Sequence, residues 1–243
     1  LKGVTDQEAL SAHAEVHPFA LGQVTAPLEL LKKAGVKKVV MAGKVQHVSL
    51  FGGIIPDLRA VKILASLKDR RTDTILGAIA AEFEKEGLEV LSSATYLSHL
   101  IPGPGPLTKR RPTREMEEDA ALGWKAAKAL AGVDVGQSVV VQGKAVVAVE
   151  GMEGTDACVR RAGELVRSNG QKPALVVVKV AKPKQDFRFD LPVLGLGTLD
   201  VLAEAGAAGL ALEAGKTLIF DREAFTRQAD AQGLTVWALT EGA

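Results

Sequence analysis

Apolar positions along the chain change period in a regular way. Leu28, Leu30, Leu31 and Ala34 fall at helical spacing, Gly35 ends that run, and residues 36–41 (VKKVVM) read as a strand entering the turn Ala42-Gly43-Lys44. Residues 57–67 and 72–86 return to helical spacing, and in the second Ile75, Ile79 and Phe83 form an i, i+4, i+8 stripe. Gly87 closes it, and residues 88–91 (LEVL) read as a strand. Helix alternates with strand as far as about residue 100, which is the pattern of an open, Rossmann-like α/β domain.

Residues 101–114 (IPGPGPLTKRRPTR) break both periods with four prolines and three arginines and read as a linker. Its Lys109-Arg110-Arg111 cluster suits a solvated segment, or one touching lipid head groups or a phosphate. A second α/β domain is expected over 115–243. It begins with a helix at 114–131, then strands 138–142 and 145–149 joined at Gly143-Lys144. A helix at 157–167 and a strand at 174–180 follow. The rest reads as helix 198–205, strands 208–212 and 217–220, helix 221–232 and strand 234–239. The expectation is therefore an α/β chain of two domains, 1–100 and 115–243, joined by a Pro-rich linker and without internal repeats.

Hydrophobic residues make up 47% and aromatics only 4%, so the cores are aliphatic. The formal charge of +1 argues against a general electrostatic binder of nucleic acid. The single cysteine, Cys158, can form no disulfide within the chain and no Cys-based zinc site, which fits a reducing compartment; it reads as buried packing. The four histidines show no HExxH spacing. No apolar run is long enough to span a bilayer, and the first residues lack a signal-peptide pattern.

Four segments could carry chemistry. In 179–192 (KVAKPKQDFRFDLP), an extended backbone would put Asp186, Arg188 and Asp190 on one face and Phe187, Phe189 and Leu191 on the other. With Lys179 and Lys182 nearby, those groups can hold a divalent metal and a phosphate together, and Arg188 can engage phosphate through two nitrogens. An ordinary half-buried strand with one polar face gives the same pattern. In 150–156 (EGMEGTD), a strand ends in Glu150 and a glycine loop delivers Thr155 and Asp156 to a helix start, where they cap the helix, face a phosphate, or do both. Glu150, Glu153 and Asp156 are further carboxylates for a metal shell. In 41–45 (MAGKV), Gly43 marks a strand-end turn of the kind that nucleotide folds use, or an ordinary turn. In 195–198 (GLGT), Thr198 reads as the cap of helix 199–205.

Five segments together resemble one family: 34–45 (AGVKKVVMAGKV), 72–90 (TDTILGAIAAEFEKEGLEV), 107–119 (LTKRRPTREMEED), 146–165 (VVAVEGMEGTDACVRRAGEL) and 179–195 (KVAKPKQDFRFDLPVLG). The family is the two-domain UDP-2,3-diacylglucosamine pyrophosphatases of lipid A biosynthesis. The resemblance implies hydrolysis of UDP-2,3-diacylglucosamine to 2,3-diacylglucosamine 1-phosphate (lipid X) and UMP, with a divalent metal such as Mg²⁺. It makes Asp190, in the RxDxP segment, the essential aspartate. From the residues themselves, Lys179, Lys182, Gln185, Arg188, Thr155 and Gly43 are the candidate substrate contacts, and Asp190, Asp186, Asp156 and Glu150 the candidate metal donors. The resemblance further implies a cytoplasmic homodimer peripheral to the inner membrane, acyl chains held between the domains, and a linker that lets them part. Members begin with a strand and a GLIAGxGxLP-type turn; this chain opens further in, so the N-terminal domain is expected to be truncated at its start. A non-catalytic nucleotide- or lipid-binding protein is the alternative, and a structural partner-binding module a third reading.

Overall fold

A computed structural model describes residues 1–3, 5–43, 55–69, 72–183, 185–189 and 191–241. Contacts divide the chain into two units, Leu1–Thr95 with Asp186–Asp190, and Tyr96–Gln185 with Leu191–Ala243.

The first unit contains α1 (Gln7–Ser11), α2 (Thr25–Lys33), β1 (Lys38–Val40), α3 (Leu58–Ser66), α4 (Thr72–Lys85) and β2 (Glu89–Leu91). β1 and β2 pair in parallel, Lys38 opposite Glu89 and Val40 opposite Leu91. Val24, Leu28, Ala60, Ile63 and Leu88 form its buried core. Asp57 organises the start of two helices. Its Oδ1 accepts the Ala60 N–H at 2.8 Å as the cap of α3, and its Oδ2 accepts the Val24 and Thr25 N–H groups at 2.8 and 2.7 Å at the start of α2. Burial works against the ionised carboxyl, but these backbone donors outweigh it and hold the pKa at about 2.

The second unit is built on a six-stranded mixed sheet. Its elements are β3 (Gly105–Pro106), α5 (Arg114–Gly132), β4 (Ser138–Gln142), β5 (Ala145–Val149), α6 (Thr155–Ser168), β6 (Leu175–Lys179), β7 (Val193–Leu194), α7 (Leu196–Ala205), β8 (Ala207–Glu213), β9 (Leu218–Ile219), α8 (Arg222–Gln232) and β10 (Thr235–Leu239). The strand order is β3-β10-β8-β6-β4-β5, and β7 pairs separately with β9. β6, β8 and β10 are parallel to one another, while β4, β5 and β3 join antiparallel.

Helices cover both faces of this sheet, which explains the unbroken valine runs. Val140, Val177, Leu210, Leu212 and Val236 turn toward α6, α7 and α8. Val139, Val141, Val176, Val178, Ala211 and Trp237 turn toward α5. Each fully buried valine or leucine contributes roughly 1.5–3 kcal/mol. Two glycines set the spacing. A Cβ on Gly123 of α5 would lie 2.5 Å from Val178 Cγ2, and one on Gly163 of α6 would lie 2.6 Å from the Ala205 carbonyl oxygen of α7. Cys158, on the inner face of α6, is fully buried, and burial pushes its thiol up to about 11.

Three local expectations change. Residues 186–189 do not extend as a strand: residues 187–189 form a turn in which the Phe189 N–H bonds the Asp186 carbonyl at 3.2 Å. The stretch 101–114, expected as a linker, is fastened to the second unit. Gly105–Pro106 pairs with the edge of β10, the Leu107 N–H bonds the Val236 carbonyl at 2.8 Å, and the Thr108 hydroxyl accepts the Val236 N–H at 2.9 Å. Thr198 caps nothing, because α7 already starts at Leu196 behind Gly195. Among the described residues no helix is long and apolar enough to cross a membrane.

Candidate functional site

The parallel strands β6 and β8 deliver their last residues, Lys179 and Glu213, to one edge of the sheet. β5 runs out into Glu150 there, β4 begins there at Ser138, and α6 begins nearby at Thr155. Strand period decides which way Lys179 points. Val176 and Val178 face α5, so Val177 and Lys179 face α6.

Lys179 is only 7% exposed and Glu150 8%. The Thr155 hydroxyl joins them, accepting from Lys179 Nζ at 2.7 Å and donating to Glu150 Oε1 at 3.0 Å. That donation uses the single Thr155 proton, so the Ser138 hydroxyl at 3.2 Å is the donor in its bond to Thr155. Glu150 Oε2 accepts the Gln137 N–H at 3.2 Å. A buried ammonium is held here by oxygen partners, as burial of a cation requires.

Thr155 is therefore not a cap, and neither is Asp156. The cap position is Gly154, at φ 83°, with no side-chain oxygen bonding the first turn. The turn's N–H groups have no capping oxygen and carry the positive end of the helix dipole. Asp156 lies exposed in that turn. Glu153 accepts the Gly151 N–H and pairs with Arg161, and together with its own backbone N–H these hold its carboxyl below the usual range.

Further along the same unit, Lys182 Nζ pairs with Asp134 at 2.7 Å, and its N–H donates to Gln185 Oε1 at 2.7 Å. Glu213 lies 5% exposed; Lys128 donates to its Oε2 at 2.6 Å, and Lys216 reaches its Oε1 at 2.9 Å. Burial opposes the Glu213 charge, but these cations and the Ala181 N–H outweigh it and keep the carboxyl low. The sequence offered little sign of Lys128, one of three cations in an alanine-rich helix. The run GLALE, an apolar strand ending in a carboxylate, was the available signal for Glu213.

Arg188 and Asp186 belong to the first unit. Arg188 donates through Nε to Asp186 Oδ1 at 3.0 Å, through NH2 to Asp186 Oδ2 at 2.6 Å, and through NH1 to Glu84 at 2.7 Å. These bonds pull the Asp186 carboxyl below its ordinary range. The Phe187 carbonyl accepts from the Ser92 and Ser93 hydroxyls at 3.1 and 3.0 Å, contacts the sequence reading missed. Gly43, also in this unit, follows β1 with φ 106°.

Of the expected site residues, Lys179, Thr155 and Glu150 come together, and Lys182 meets Gln185. Asp186 meets Arg188. Asp190 lies outside the described residues, as do Lys44 and Val45 of the MAGKV turn. Among the described residues no three His, Cys, Asp or Glu side chains gather to hold a metal ion. The expected donors Asp186 and Glu150 are occupied by Arg188, and by Thr155 and Gln137, so the described carboxylates do not fit a metal shell.

Residues 1–100 match the model of the LpxI N-terminal domain and residues 103–237 that of the LpxI C-terminal domain. The chain is similar to the UDP-2,3-diacylglucosamine pyrophosphatase LpxI of Caulobacter vibrioides, with 35% identity over 222 residues, covering 89% of this chain and 79% of that protein. The chain belongs to the LpxI family.

Proposed function

We propose that this chain hydrolyses the pyrophosphate bond of UDP-2,3-diacylglucosamine, giving 2,3-diacylglucosamine 1-phosphate (lipid X) and UMP. The observation that carries the reading is the buried Lys179 ammonium, bonded to Thr155 at the start of α6, with Glu150 behind it. The cation is bonded to the first residue of a helix that has no capping side chain, an arrangement that suits a phosphate gaining charge as its bridging bond breaks. In this reading Glu150 holds the Thr155 hydroxyl so that its lone pairs point at Lys179. The Lys179 ammonium then offsets the negative charge on the departing phosphate as water oxygen bonds to phosphorus, the bridging P–O bond breaks with its electron pair leaving on the departing phosphate, and the water proton passes to solvent.

Asp190 is the proposed essential carboxylate, and Lys182, Gln185, Arg188 and Gly43 are proposed substrate contacts. A divalent cation such as Mg²⁺ belongs to the proposal, with Asp190 among its ligands. No step is routed through it, because the described carboxylates do not form its shell. The same reading puts the chain in the cytoplasm as a homodimer at the inner-membrane surface. The decisive assay is UMP release from UDP-2,3-diacylglucosamine in Mg²⁺, with Asp190→Ala and Lys179→Met alongside. Wild-type protein that releases no UMP defeats the reading. A folded Asp190→Ala variant with normal turnover removes that residue from it.

A further inference from the structure

Ala181 is fully buried two residues beyond Lys179, and one ion pair holds both of its backbone groups. Glu213 Oε2 accepts the Ala181 N–H at 2.7 Å, while Lys128 Nζ donates to the Ala181 carbonyl at 3.1 Å and to Glu213 Oε2 at 2.6 Å. Lys128 also lies 5.2 Å over the Trp124 ring, which fixes its stem. Neighbouring residues are tied as firmly. The Val180 N–H bonds the Gln137 carbonyl at 2.9 Å, the Lys182 N–H bonds Gln185 at 2.7 Å, and Lys182 Nζ pairs with Asp134 at 2.7 Å.

With Glu213 buried and Lys128 half-buried, such a pair is a poor way to gain stability, since desolvation offsets the attraction of the charges. Neutral partners would satisfy Ala181 equally well. What the pair provides is geometry: α5 and the end of β8, brought together from residues 85 apart, converge on one peptide unit. That unit fixes the direction in which the chain leaves β6, between Lys179 on one side and Lys182 and Gln185 on the other.

We propose that Lys128 and Glu213 are positioning residues for the hydrolysis, holding residues 180–182 so that Lys179, Lys182 and Gln185 meet the diphosphate in register. The inference rests on the function proposed above. It is tested on the full chain by steady-state UMP release from the wild type, Lys128→Met/Glu213→Leu and Lys128→Arg, each assayed well below its measured melting temperature. The double variant removes both charges together, so neither is left buried alone. A displacement on the order of 1 Å at a reacting group lowers turnover by about 10²-fold. The expected result is a fall of about 10–100-fold in kcat with KM changed less than about threefold, and most of the rate retained in Lys128→Arg, which keeps the cation. A merely structural pair would move the melting temperature without this split. A folded double variant with wild-type kcat, or with its loss confined to KM, overturns the proposal. If that variant does not fold, Lys128→Met/Glu213→Gln, which keeps an acceptor for the Ala181 N–H, is read by the same criteria. Wild-type protein without UMP release brings down the parent function and this proposal together. Active wild type with an equally active double variant brings down the positioning role alone.

Discussion

Thr155→Val is the sharpest probe of the Lys179–Glu150 arrangement, because it keeps shape and removes one hydroxyl. That hydroxyl accepts from Lys179 at 2.7 Å and from Ser138 at 3.2 Å, and donates to Glu150 at 3.0 Å. A hydrogen bond to a charged group contributes about 1.5–3 kcal/mol. Glu150 keeps the Gln137 N–H at 3.2 Å, which limits its share of the damage. The three bonds share one oxygen and their losses do not add, so the second unit should lose about 2–3 kcal/mol, or roughly 5–10 °C in Tm. Thr155→Ser keeps the hydroxyl and should lose less than about 1 kcal/mol. The chain's two tryptophans, Trp124 and Trp237, both lie in the second unit, so urea denaturation followed by their fluorescence reads that unit alone. Turnover should follow the same order, with kcat/KM down about 10–100-fold in the valine variant, since 1.4 kcal/mol is tenfold in rate. A valine variant as stable and as active as the serine variant would refute the idea that the hydroxyl orients Lys179.

Asp57→Asn should loosen the first unit at pH 7 by at most about 2 kcal/mol, read by hydrogen exchange of the α2 and α3 segments. The folded pKa of about 2 lies below the ordinary 3.8, so this stabilisation is complete above pH 4 and fades as pH falls toward 2, where wild type and variant should converge. Gly163→Ala drives a Cβ to 2.6 Å from the Ala205 carbonyl oxygen, a backbone atom that cannot step aside; overpacking of this kind costs about 1–3 kcal/mol by chemical denaturation. Arg188→Lys keeps the charge but cannot bond both Asp186 oxygens and Glu84 at once, and should lower kcat/KM roughly tenfold; unchanged kinetics would separate that turn from the reaction.

Much of the second unit was legible because its physics is local. Strands covered on both faces write themselves as valine runs, so 138–142 and 174–180 needed no partner to be recognised. The hairpin at Gly143-Lys144 was legible from its glycine, and both residues do take positive φ, with Asp119 accepting their N–H groups at 3.0 and 2.6 Å. The segment 186–190 misled for a physical reason. Alternating Asp, Phe, Arg, Phe, Asp gives the period of a strand, yet a carboxylate two residues before an arginine can also seize it within a turn. Prolines at 101–114 signalled irregular backbone correctly, but not that Leu107 and Thr108 would dock on β10, which needs a partner some 128 residues away. The Thr155–Lys179 contact was half legible: both residues were candidates, but only the fold reveals that they touch.

The lone thiol on the buried face of α6 has a practical consequence. Burial keeps Cys158 protonated at neutral pH and out of reach of alkylating reagents while the second unit stays folded. With no other sulfhydryl in the chain, the rate at which iodoacetamide or a maleimide reacts becomes a clock for the opening of that unit, and it needs no engineered label.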